Sequence, residues 1–256
     1  MFEESIKKAA KLLHQAEYAV ALTGAGISTP SGIPDFRSEE SGLWNDPHAQ
    51  YIASIMGFRM DPEAFYKWIR PFTAKIVAAF PNPAHEALAR LERLGRLKSV
   101  ITQNIDMLHS RAGTQNVYEL HGHLREATCL SCFTVYPTEG LIHEFLNNPS
   151  LKVLYCPKCN GILKPNVILF NEALPARALE AAERDARRCD VMLVTGSSLE
   201  VYPAADLPRR ALNHGAKLIL VNYEETPYDK YAEVTIHGDV ADVLPRIAQL
   251  VEAGGE

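Results

Sequence analysis

The sequence predicts an α/β fold in which a Rossmann-type, doubly wound parallel sheet carries a smaller zinc-ribbon domain as an insertion. Short apolar runs alternate with helical patterns along the chain, which is typical of parallel strands covered by helices on both faces. One long stretch interrupts this alternation and holds four of the five cysteines. A chain of 256 residues with 47% hydrophobic residues can form one substantial domain and such an insertion.

Four apolar runs are the predicted strands of the sheet. They are Tyr18 to Leu22, Ser99 to Thr102, Val191 to Thr195, and Lys217 to Val221. A helical pattern precedes each run, at residues 6–17, 84–94, 175–188 and 204–214. We expect Gly215 to end the last of these helices, because glycine adopts the left-handed conformation found after helix ends.

The predicted domain boundaries follow the two places where the strand–helix alternation breaks. Residues 1–27, 84–123 and 166–256 are expected to form the Rossmann-type domain. Residues 28–83 begin with a loop rich in proline and glycine, and we expect a cofactor-binding loop and a helical module there. Residues 124–165 contain the cysteine pairs and are the expected insertion.

The charge balance bears on the class of partner. The net charge is −5 and the pI about 6.0, whereas domains that bind nucleic acid usually carry a basic excess. We therefore expect no direct nucleic-acid binding. The N-terminus lacks an apolar leader segment and no apolar run approaches the ~18 residues of a membrane span. These features predict a cytoplasmic protein without a membrane partner.

Four cysteines form two pairs of equal spacing, Cys129-x-x-Cys132 and Cys156-x-x-Cys159. In a reducing compartment this spacing is typical of a tetrahedral zinc ribbon. Since four protein ligands leave no open position, we expect one structural zinc ion; a catalytic metal or a redox dithiol is the alternative. Cys189 is expected to be a small buried residue.

A glycine-rich turn, Gly24 to Ser28, follows the first predicted strand. Glycine allows the backbone to approach a pyrophosphate at the N-terminus of the next helix. Thr29 stands where the full dinucleotide-binding motif has its third glycine, so a tight turn without a ligand explains the segment equally well. An acidic residue in the position that an ordinary dehydrogenase requires is missing.

A polar run, Thr102 to Asp106, ends the second predicted strand. Because the carboxyl ends of parallel strands face the binding crevice, Gln103, Asn104 and Asp106 are candidates for binding ribose hydroxyls and a carboxamide. Alternatively, the run caps a helix that begins near Met107. The two interpretations are compatible.

The loop Pro34 to Arg37 combines an aromatic ring with a guanidinium group. Arg37 is suited to a phosphate and Phe36 to an apolar ring face. Taken alone, the loop favours the alternative in which Phe36 anchors it to the core and Arg37 forms a surface ion pair.

His121 is the candidate general base, because an imidazole with a pKa near neutrality accepts a proton from a hydroxyl. The other histidines near predicted elements, His85, His109 and His123, have no comparable sequence context.

Together, these motifs resemble those of the sirtuins, NAD-dependent protein lysine deacylases, in their compact prokaryotic form. The resemblance covers about residues 20 to 240 in the family's order. It rests on Gly24 to Ser28, Gly32 to Arg37, Thr102 to Asp106, His121-Gly122, the four cysteines, Gly161-x-Leu163-x-Pro165, Gly196 to Leu199, and Pro203-Ala204.

The resemblance implies the role of each site residue. His121 is the general base, Asn104 orients a ribose hydroxyl or water, and Asp106 binds the nicotinamide carboxamide. The implied NAD contacts are Gly24, Ala25, Gly26, Thr29, Phe36, Arg37, Gln103, Asn104, Ile105, Asp106, His121, Gly196, Ser197, Ser198, Asn222, Asp239 and Val240. The implied peptide contacts, made by strand addition, are Val167, Phe170, Asn171 and Glu172.

The implied reaction is NAD-dependent removal of an acetyl group from a lysine of a protein or peptide. The amide oxygen attacks the ribose carbon that releases nicotinamide, His121 draws a proton so that a ribose hydroxyl attacks in turn, and water completes the transfer of acetyl to ADP-ribose. Protein mono-ADP-ribosyl transfer at the same NAD site is the alternative. A non-enzymatic module that binds nucleic acid through the zinc ribbon is a rival of another class. The oligomeric state stays open.

Two departures from the family pattern affect the substrate. Asn171 replaces the family's usual glycine, and asparagine tolerates the left-handed backbone of such a turn. Sirtuins that prefer succinyl or malonyl groups have a Tyr-x-x-Arg pair, whereas here Ile69 follows Tyr66 at that spacing and Arg70 comes one residue later. The sequence therefore predicts a preference for uncharged acyl groups.

Overall fold

The part of the chain that the computed structural model describes, residues 2–35 and 47–255, contains nine strands in two sheets. The strands are β1 (Ala19–Thr23), β2 (Ser99–Thr102), β3 (Val117–Glu119), β4 (Gly122–Cys129), β5 (Val135–Pro137), β6 (Leu163–Val167), β7 (Val191–Thr195), β8 (Lys217–Val221) and β9 (Val234–Ile236). The larger sheet is parallel, with the order β3-β2-β1-β7-β8-β9. The predicted Rossmann-type fold is confirmed. The edge strands β3 and β9 are additions that the apolar pattern did not predict.

Ten α-helices occur in the described residues. They are α1 (Glu3–Gln15), α2 (Pro47–Ile52), α3 (Ile55–Met60), α4 (Pro62–Ala78), α5 (Pro83–Arg93), α6 (Leu108–Arg111), α7 (Glu139–Asn147), α8 (Ala176–Arg188), α9 (Leu207–Asn213) and α10 (Val240–Glu252). Gly215 follows α9 with a φ of 88°, as predicted for a residue that ends a helix. None of the described helices has the length and apolar character needed to cross a membrane.

Both faces of the parallel sheet are buried, which explains why its strands are continuous apolar runs. In β1, Ala19 and Ala21 pack against α1, α5 and α10, whereas Val20 and Leu22 belong to the core under α8 and α9. The strand order reverses between β1 and β7. In such sheets the ligand crevice lies at this reversal, outside the carboxyl ends of the strands.

The smaller sheet is antiparallel, with the order β5-β4-β6, and carries the cysteine pairs. Its core is separate from the two cores of the parallel sheet and is shared with α4. Phe65 and Tyr66 of α4 pack with Phe145 of α7 and Leu163 of β6. β4 begins at Gly122 and β6 ends at Val167, so the small sheet extends two residues beyond the predicted insertion at each end.

Candidate active site

Three polar or glycine-rich segments meet at the carboxyl ends of β1, β2 and β7. Gly26 N–H donates to the carbonyl of Gly196 (2.9 Å), and Asn104 Nδ2 donates to the carbonyl of Gly24 (3.0 Å). Gln103 Nε2 donates to Ser197 Oγ (3.0 Å). The structure therefore brings together segments that are more than 70 residues apart in the sequence.

The contact between Gly26 and Gly196 requires glycine on both sides. A Cβ atom added to Gly26 would lie 2.9 Å from the Cα of Gly196. Gly196 has a φ of 60°, and a Cβ there would lie 2.2 Å from the backbone nitrogen of Ile27. The glycine pattern predicts the approach of a pyrophosphate to the first turn; in the structure the glycines also allow two loops to cross in contact.

The structure describes Thr29 of the first loop but not Phe36 and Arg37. Thr29 Oγ1 donates to the carbonyl of Gly26 (3.0 Å) and so stabilises the turn. Phe36 and Arg37 lie outside the described residues, and their cofactor contacts stay predictions.

A buried hydrogen-bond network forms the floor of a small pocket. The Ser28 hydroxyl donates to Asp106 Oδ2 (2.6 Å) and accepts from Asn104 Nδ2 (3.0 Å). Asp106 Oδ1 accepts from Leu108 N–H at the start of α6 (2.9 Å), so the polar run caps a helix and lines the pocket at once. Burial raises the pKa of Asp106, and its bonds from Ser28 and Leu108 oppose that shift. The pocket is lined by Ala25, Ser28, Ile33, Phe72, Ile76, Asn104, Ile105 and Asp106.

The chemistry of this pocket's lining matches an aromatic ring that carries an amide. Its walls include Ile33, Phe72 and Ile76, which offer an apolar surface to a ring. Asn104 and Asp106 place amide and carboxylate groups at the same pocket, where they match the donors and acceptors of a carboxamide. The residues present therefore suit the nicotinamide end of NAD.

Two histidines without a distinctive sequence context, His85 and His109, lie behind this floor. His85 Nε2 lies 3.4 Å from Ser28 Oγ, and His109 Nε2 lies 2.9 Å from Thr23 Oγ1. Their rings are in edge-to-face contact at 4.8 Å. Burial lowers the pKa of His85 to about 4 and that of His109 well below its ordinary value. Both rings are therefore neutral and fully buried, and they support the pocket from within.

A sequence signal for His85 does exist. It occurs three residues before Leu88, on the apolar face of the predicted helix at 84–94. A polar ring on a buried face needs hydrogen-bond partners, which here are the Asn82 backbone N–H at Nδ1 (3.3 Å) and the Ser28 hydroxyl at Nε2. Asn82 is a local partner, whereas the identity of Ser28 depends on the tertiary fold.

His121 lies between β3 and β4, next to the polar run. Its Nδ1 lies 2.9 Å from the carbonyl oxygen of Gln103. Because a carbonyl only accepts, Nδ1 carries the proton in the neutral ring and Nε2 retains its lone pair. Burial lowers the pKa of His121, and the bond to Gln103 opposes this shift. The ring is thus a neutral base at pH 7.

The residues expected at the adenosine end lie along the same edge of the sheet. Ser197 and Ser198 follow β7, Asn222 follows β8, and Asp239 and Val240 follow β9 at the start of α10. The Asp239 carboxylate accepts the N–H of the second residue of α10 (2.8 Å). The parallel sheet therefore places all five at its carboxyl edge.

The expected peptide-binding segment, Val167 to Glu172, leaves the end of β6. Ile168 N–H donates to the carbonyl of His121 (2.8 Å). Phe170 is already paired with residues 53–55 through both of its backbone groups, and its side chain is 41% exposed. A ligand can therefore contact the Phe170 side chain, whereas its backbone has no free pairing group. Asn171 has a φ of 66°, so asparagine keeps the left-handed turn.

The four paired cysteines form one cluster. All four Sγ atoms lie within 4.8 Å of one another, with 3.5 Å between Cys129 and Cys159 and 3.7 Å between Cys132 and Cys156. Zinc–sulfur bonds of ~2.3 Å in a tetrahedron give sulfur–sulfur edges of ~3.8 Å. The cluster fits one zinc ion with four thiolate ligands and no open position.

Hydrogen bonds around the cluster support thiolate ligands. Cys129 Sγ accepts the backbone N–H groups of Ser131 (3.4 Å) and Cys132 (3.5 Å). The Tyr136 hydroxyl lies 3.2 Å from Cys156 Sγ. Such outer bonds orient metal ligands and stabilise their charge.

A Rossmann-type sheet, a pocket with amide and carboxylate groups at the carboxyl ends of β1 and β2, and a four-thiolate cluster are features of a nucleotide-using protein with a structural metal. A model of the Sir2 family matches residues 24–203. NAD-dependent protein deacylase 2 of Archaeoglobus fulgidus is 46% identical over 251 residues, which are 98% of this chain and 97% of that protein. The chain belongs to the Sir2 family.

Two solved structures extend the comparison. A Sir2 homologue in complex with NAD has a TM-score of 0.88 and 40% identity, over 98% of this chain and 95% of that one. A Sir2 variant with a deacetylated p53 peptide and 3′-O-acetyl-ADP-ribose has a TM-score of 0.89 and 41% identity, over 98% of each chain. The similarity in fold thus extends over nearly the whole chain.

Proposed function

We propose that this protein is an NAD-dependent protein lysine deacetylase that transfers the acetyl group to ADP-ribose. The observation that carries the proposal is His121, whose Nδ1 is bonded to the carbonyl of Gln103, the residue before Asn104, so that its Nε2 retains a lone pair. The A. fulgidus relative is named a deacylase, and the related Sir2 complexes contain NAD, a deacetylated peptide and acetyl-ADP-ribose. These properties of the relatives support the same chemistry here.

Each residue of the crevice has a separate role in the proposed reaction. Bound NAD supplies the ribose carbon that the acyl oxygen attacks as nicotinamide leaves. Asp106 binds the carboxamide, Ile105 lines the nicotinamide pocket, and the Asn104 side chain orients a ribose hydroxyl or water. His121 Nε2 removes a proton from the hydroxyl. The turn beginning at Gly24 faces the phosphates.

The cofactor sites extend to both ends of the crevice. Ser197, Ser198, Asn222, Asp239 and Val240 are proposed for the adenosine end. Zinc bound by the four cysteines supplies structure to the ribbon and takes no part in the reaction.

The environment of α4 favours uncharged acyl groups. Ile69 is buried in the apolar core that α4 shares with the small sheet. The Arg70 guanidinium turns away to stack on the Phe145 ring (3.7 Å) and to bond the carbonyls of Phe145 and Leu151. The Tyr66 hydroxyl donates to the carbonyl of Leu163 (2.6 Å). Neither Tyr66 nor Arg70 is therefore available to bind an acyl carboxylate.

The acetylated lysine is expected to lie on a protein or peptide that contacts Val167 to Glu172. We place the protein in the cytoplasm, because free thiols that bind zinc require a reducing compartment. Protein mono-ADP-ribosyl transfer is the disfavoured alternative, since the acetyl-ADP-ribose complex of a relative contains the product of deacetylation.

The test is mass spectrometry of an acetyl-lysine peptide incubated with the protein, with and without NAD. We expect deacetylated peptide and O-acetyl-ADP-ribose only when NAD is present. The same peptide carrying a succinyl group is expected to react more slowly. A modified protein in place of O-acetyl-ADP-ribose would establish ADP-ribosyl transfer, and absence of conversion and of NAD binding would refute the proposal.

A further inference from the structure

A buried lysine lies directly beneath the proposed peptide-binding segment. Lys164, on β6, is only 8% exposed. Its Nζ lies 2.9 Å from Glu172 Oε2, 2.8 Å from the carbonyl of Val167 and 3.2 Å from the carbonyl of Pro165. Three acceptors match the three N–H donors of an ammonium group. Lysines are almost never buried unless they are paired in this way.

Glu172, at the end of the segment 167–172, is the charged partner of Lys164. Its Oε2 accepts both the Lys164 ammonium and the backbone N–H of Leu169 (2.8 Å). Asn171, in the left-handed conformation, forms the turn that brings Glu172 back towards Lys164. One ion pair therefore fixes the start of the segment through Val167 and its end through Glu172.

The environment makes this ion pair stronger than an exposed one. Burial lowers the pKa of Lys164, and the Glu172 carboxylate beside it opposes that shift. Hydrogen bonds between charged groups are shorter and stronger than neutral ones, and low exposure limits screening by water. For comparison, Lys152 and Glu63 form a pair of nearly equal length (2.8 Å) whose side chains are 65% and 54% exposed.

The same segment is joined to the proposed base. Ile168 N–H donates to the carbonyl of His121 (2.8 Å). The acceptors of Lys164 all belong to residues 165–172, whereas Asn104 and Asp106 bond within the cofactor crevice. A change at Lys164 therefore acts on the peptide side of the site.

We propose that Lys164 and Glu172 are positioning residues for the acyl-lysine peptide: their ion pair holds the backbone of residues 167–172 in the conformation that the substrate recognises. This inference rests on the proposed deacetylase function. Glu172 acts through Oε2, which accepts from Lys164 and from the backbone N–H of Leu169. Pre-ordering of this segment raises affinity because the peptide does not have to order it on binding.

The test compares steady-state kinetics of wild-type protein, Lys164→Met, Lys164→Arg and the control Lys152→Met, with an acetyl-lysine peptide and NAD. All measurements are made well below the thermal midpoint of each variant. We expect Lys164→Met to raise KM for the peptide by about ten- to hundredfold, the usual effect of losing a hydrogen-bonded charge, and to leave KM for NAD unchanged. Lys164→Arg, which keeps the charge, restores much of the peptide affinity, and Lys152→Met matches wild type.

An unchanged KM for the peptide in Lys164→Met overturns the inference, as does an equal rise in the KM for NAD. If Lys164→Met does not fold, Glu172→Gln keeps the ammonium and weakens the pair, and it must then raise the peptide KM alone. Wild-type protein that binds NAD but does not deacetylate refutes the proposed function first, before any variant is compared.

Discussion

The two lobes of this molecule are stabilised in different ways. The sheet body, which is the six-stranded sheet with α1, α5, α8, α9 and α10, buries apolar side chains on both faces of its strands. The ribbon lobe, which is β4 to β6 with α7, has three strands, one apolar core shared with α4, and a cluster of four thiols. The sheet body is large enough to be stabilised by its core, whereas so small a lobe needs a metal.

The site draws on both lobes, and each lobe contributes a different part. Gln103 to Asp106 directly follow β2 of the sheet body. His121 directly precedes β4, and the peptide-binding segment directly follows β6. The proposed cofactor contacts therefore belong mainly to the sheet body, while the proposed base and peptide contacts depend on the position of the ribbon lobe. This division predicts which measurements distinguish the contribution of the sheet body from that of the ribbon lobe.

Removing zinc should have the largest effect: it should unfold the ribbon lobe and leave the sheet body folded. Zinc binding contributes ~10–16 kcal/mol in small zinc domains, so Cys159→Ser or treatment with a strong chelator should unfold the ribbon lobe and abolish deacetylation. Hydrogen exchange is expected to show lost protection in residues 124–165 and retained protection in β1, β7 and β8. Cys189→Ser, which changes a buried thiol outside the cluster, should keep one zinc per chain. Equal loss of protection in both lobes would show that they are one cooperative unit.

The parts of the fold that were predicted correctly are those with a strong local signal. β1, β2, β7 and β8 are apolar runs because both of their faces are buried. β3 has three half-buried residues at a sheet edge, so it lacks an apolar run and was missed. Short edge strands take their identity from the neighbouring strand, which periodicity alone does not indicate.

The candidate site residues also differ in whether they have a local sequence signal. Gln103, Asn104 and Asp106 were predicted because each follows a recognisable strand. Lys164 was missed because its burial depends on the turn that returns Glu172 to it, and His109 was missed because its partner, Thr23, lies 86 residues away. Such residues become visible only when the tertiary contacts are known.

Replacing the base should reduce turnover and leave both lobes intact. We expect His121→Ala to lower kcat by about 10²–10⁴-fold, the range for loss of a general base, with NAD binding retained. His123→Ala, two residues along the chain, is the matched control and should keep wild-type kcat. Calorimetric titration with NAD and turnover at saturating peptide measure the two quantities. Near-normal turnover of His121→Ala would mean that another group removes the proton.

Acidification should destabilise the sheet body through the histidines behind the pocket. Burial lowers the pKa of folded His85 to about 4, whereas the unfolded value is ~6.5. The unfolded chain therefore binds more protons between these values. Stability from this residue is complete above pH ~6.5 and is lost as the pH falls towards ~4, by about 2 kcal/mol at pH ~5. Denaturant titrations at several pH values measure the loss, and His85→Gln should show a shallower dependence than wild type. An unchanged slope in that variant would assign the effect to other groups.

The smallest effect concerns one backbone conformation that occurs in the peptide-binding segment and in the sheet body. Asn171 in the peptide-binding segment and Gly215 in the sheet body both have positive φ, 66° and 88°. A side chain in this region costs ~1 kcal/mol relative to glycine, somewhat less for asparagine. We therefore expect Asn171→Gly to raise the thermal midpoint by up to about 2–4 °C and Gly215→Ala to lower it by about the same amount. A Cβ on Gly215 has no heavy atom within 4 Å apart from its chain neighbours, so that variant reports backbone strain alone. Destabilisation by Asn171→Gly would show that the asparagine side chain makes a favourable contact, and the peptide KM of the variant would then show whether that contact involves the substrate.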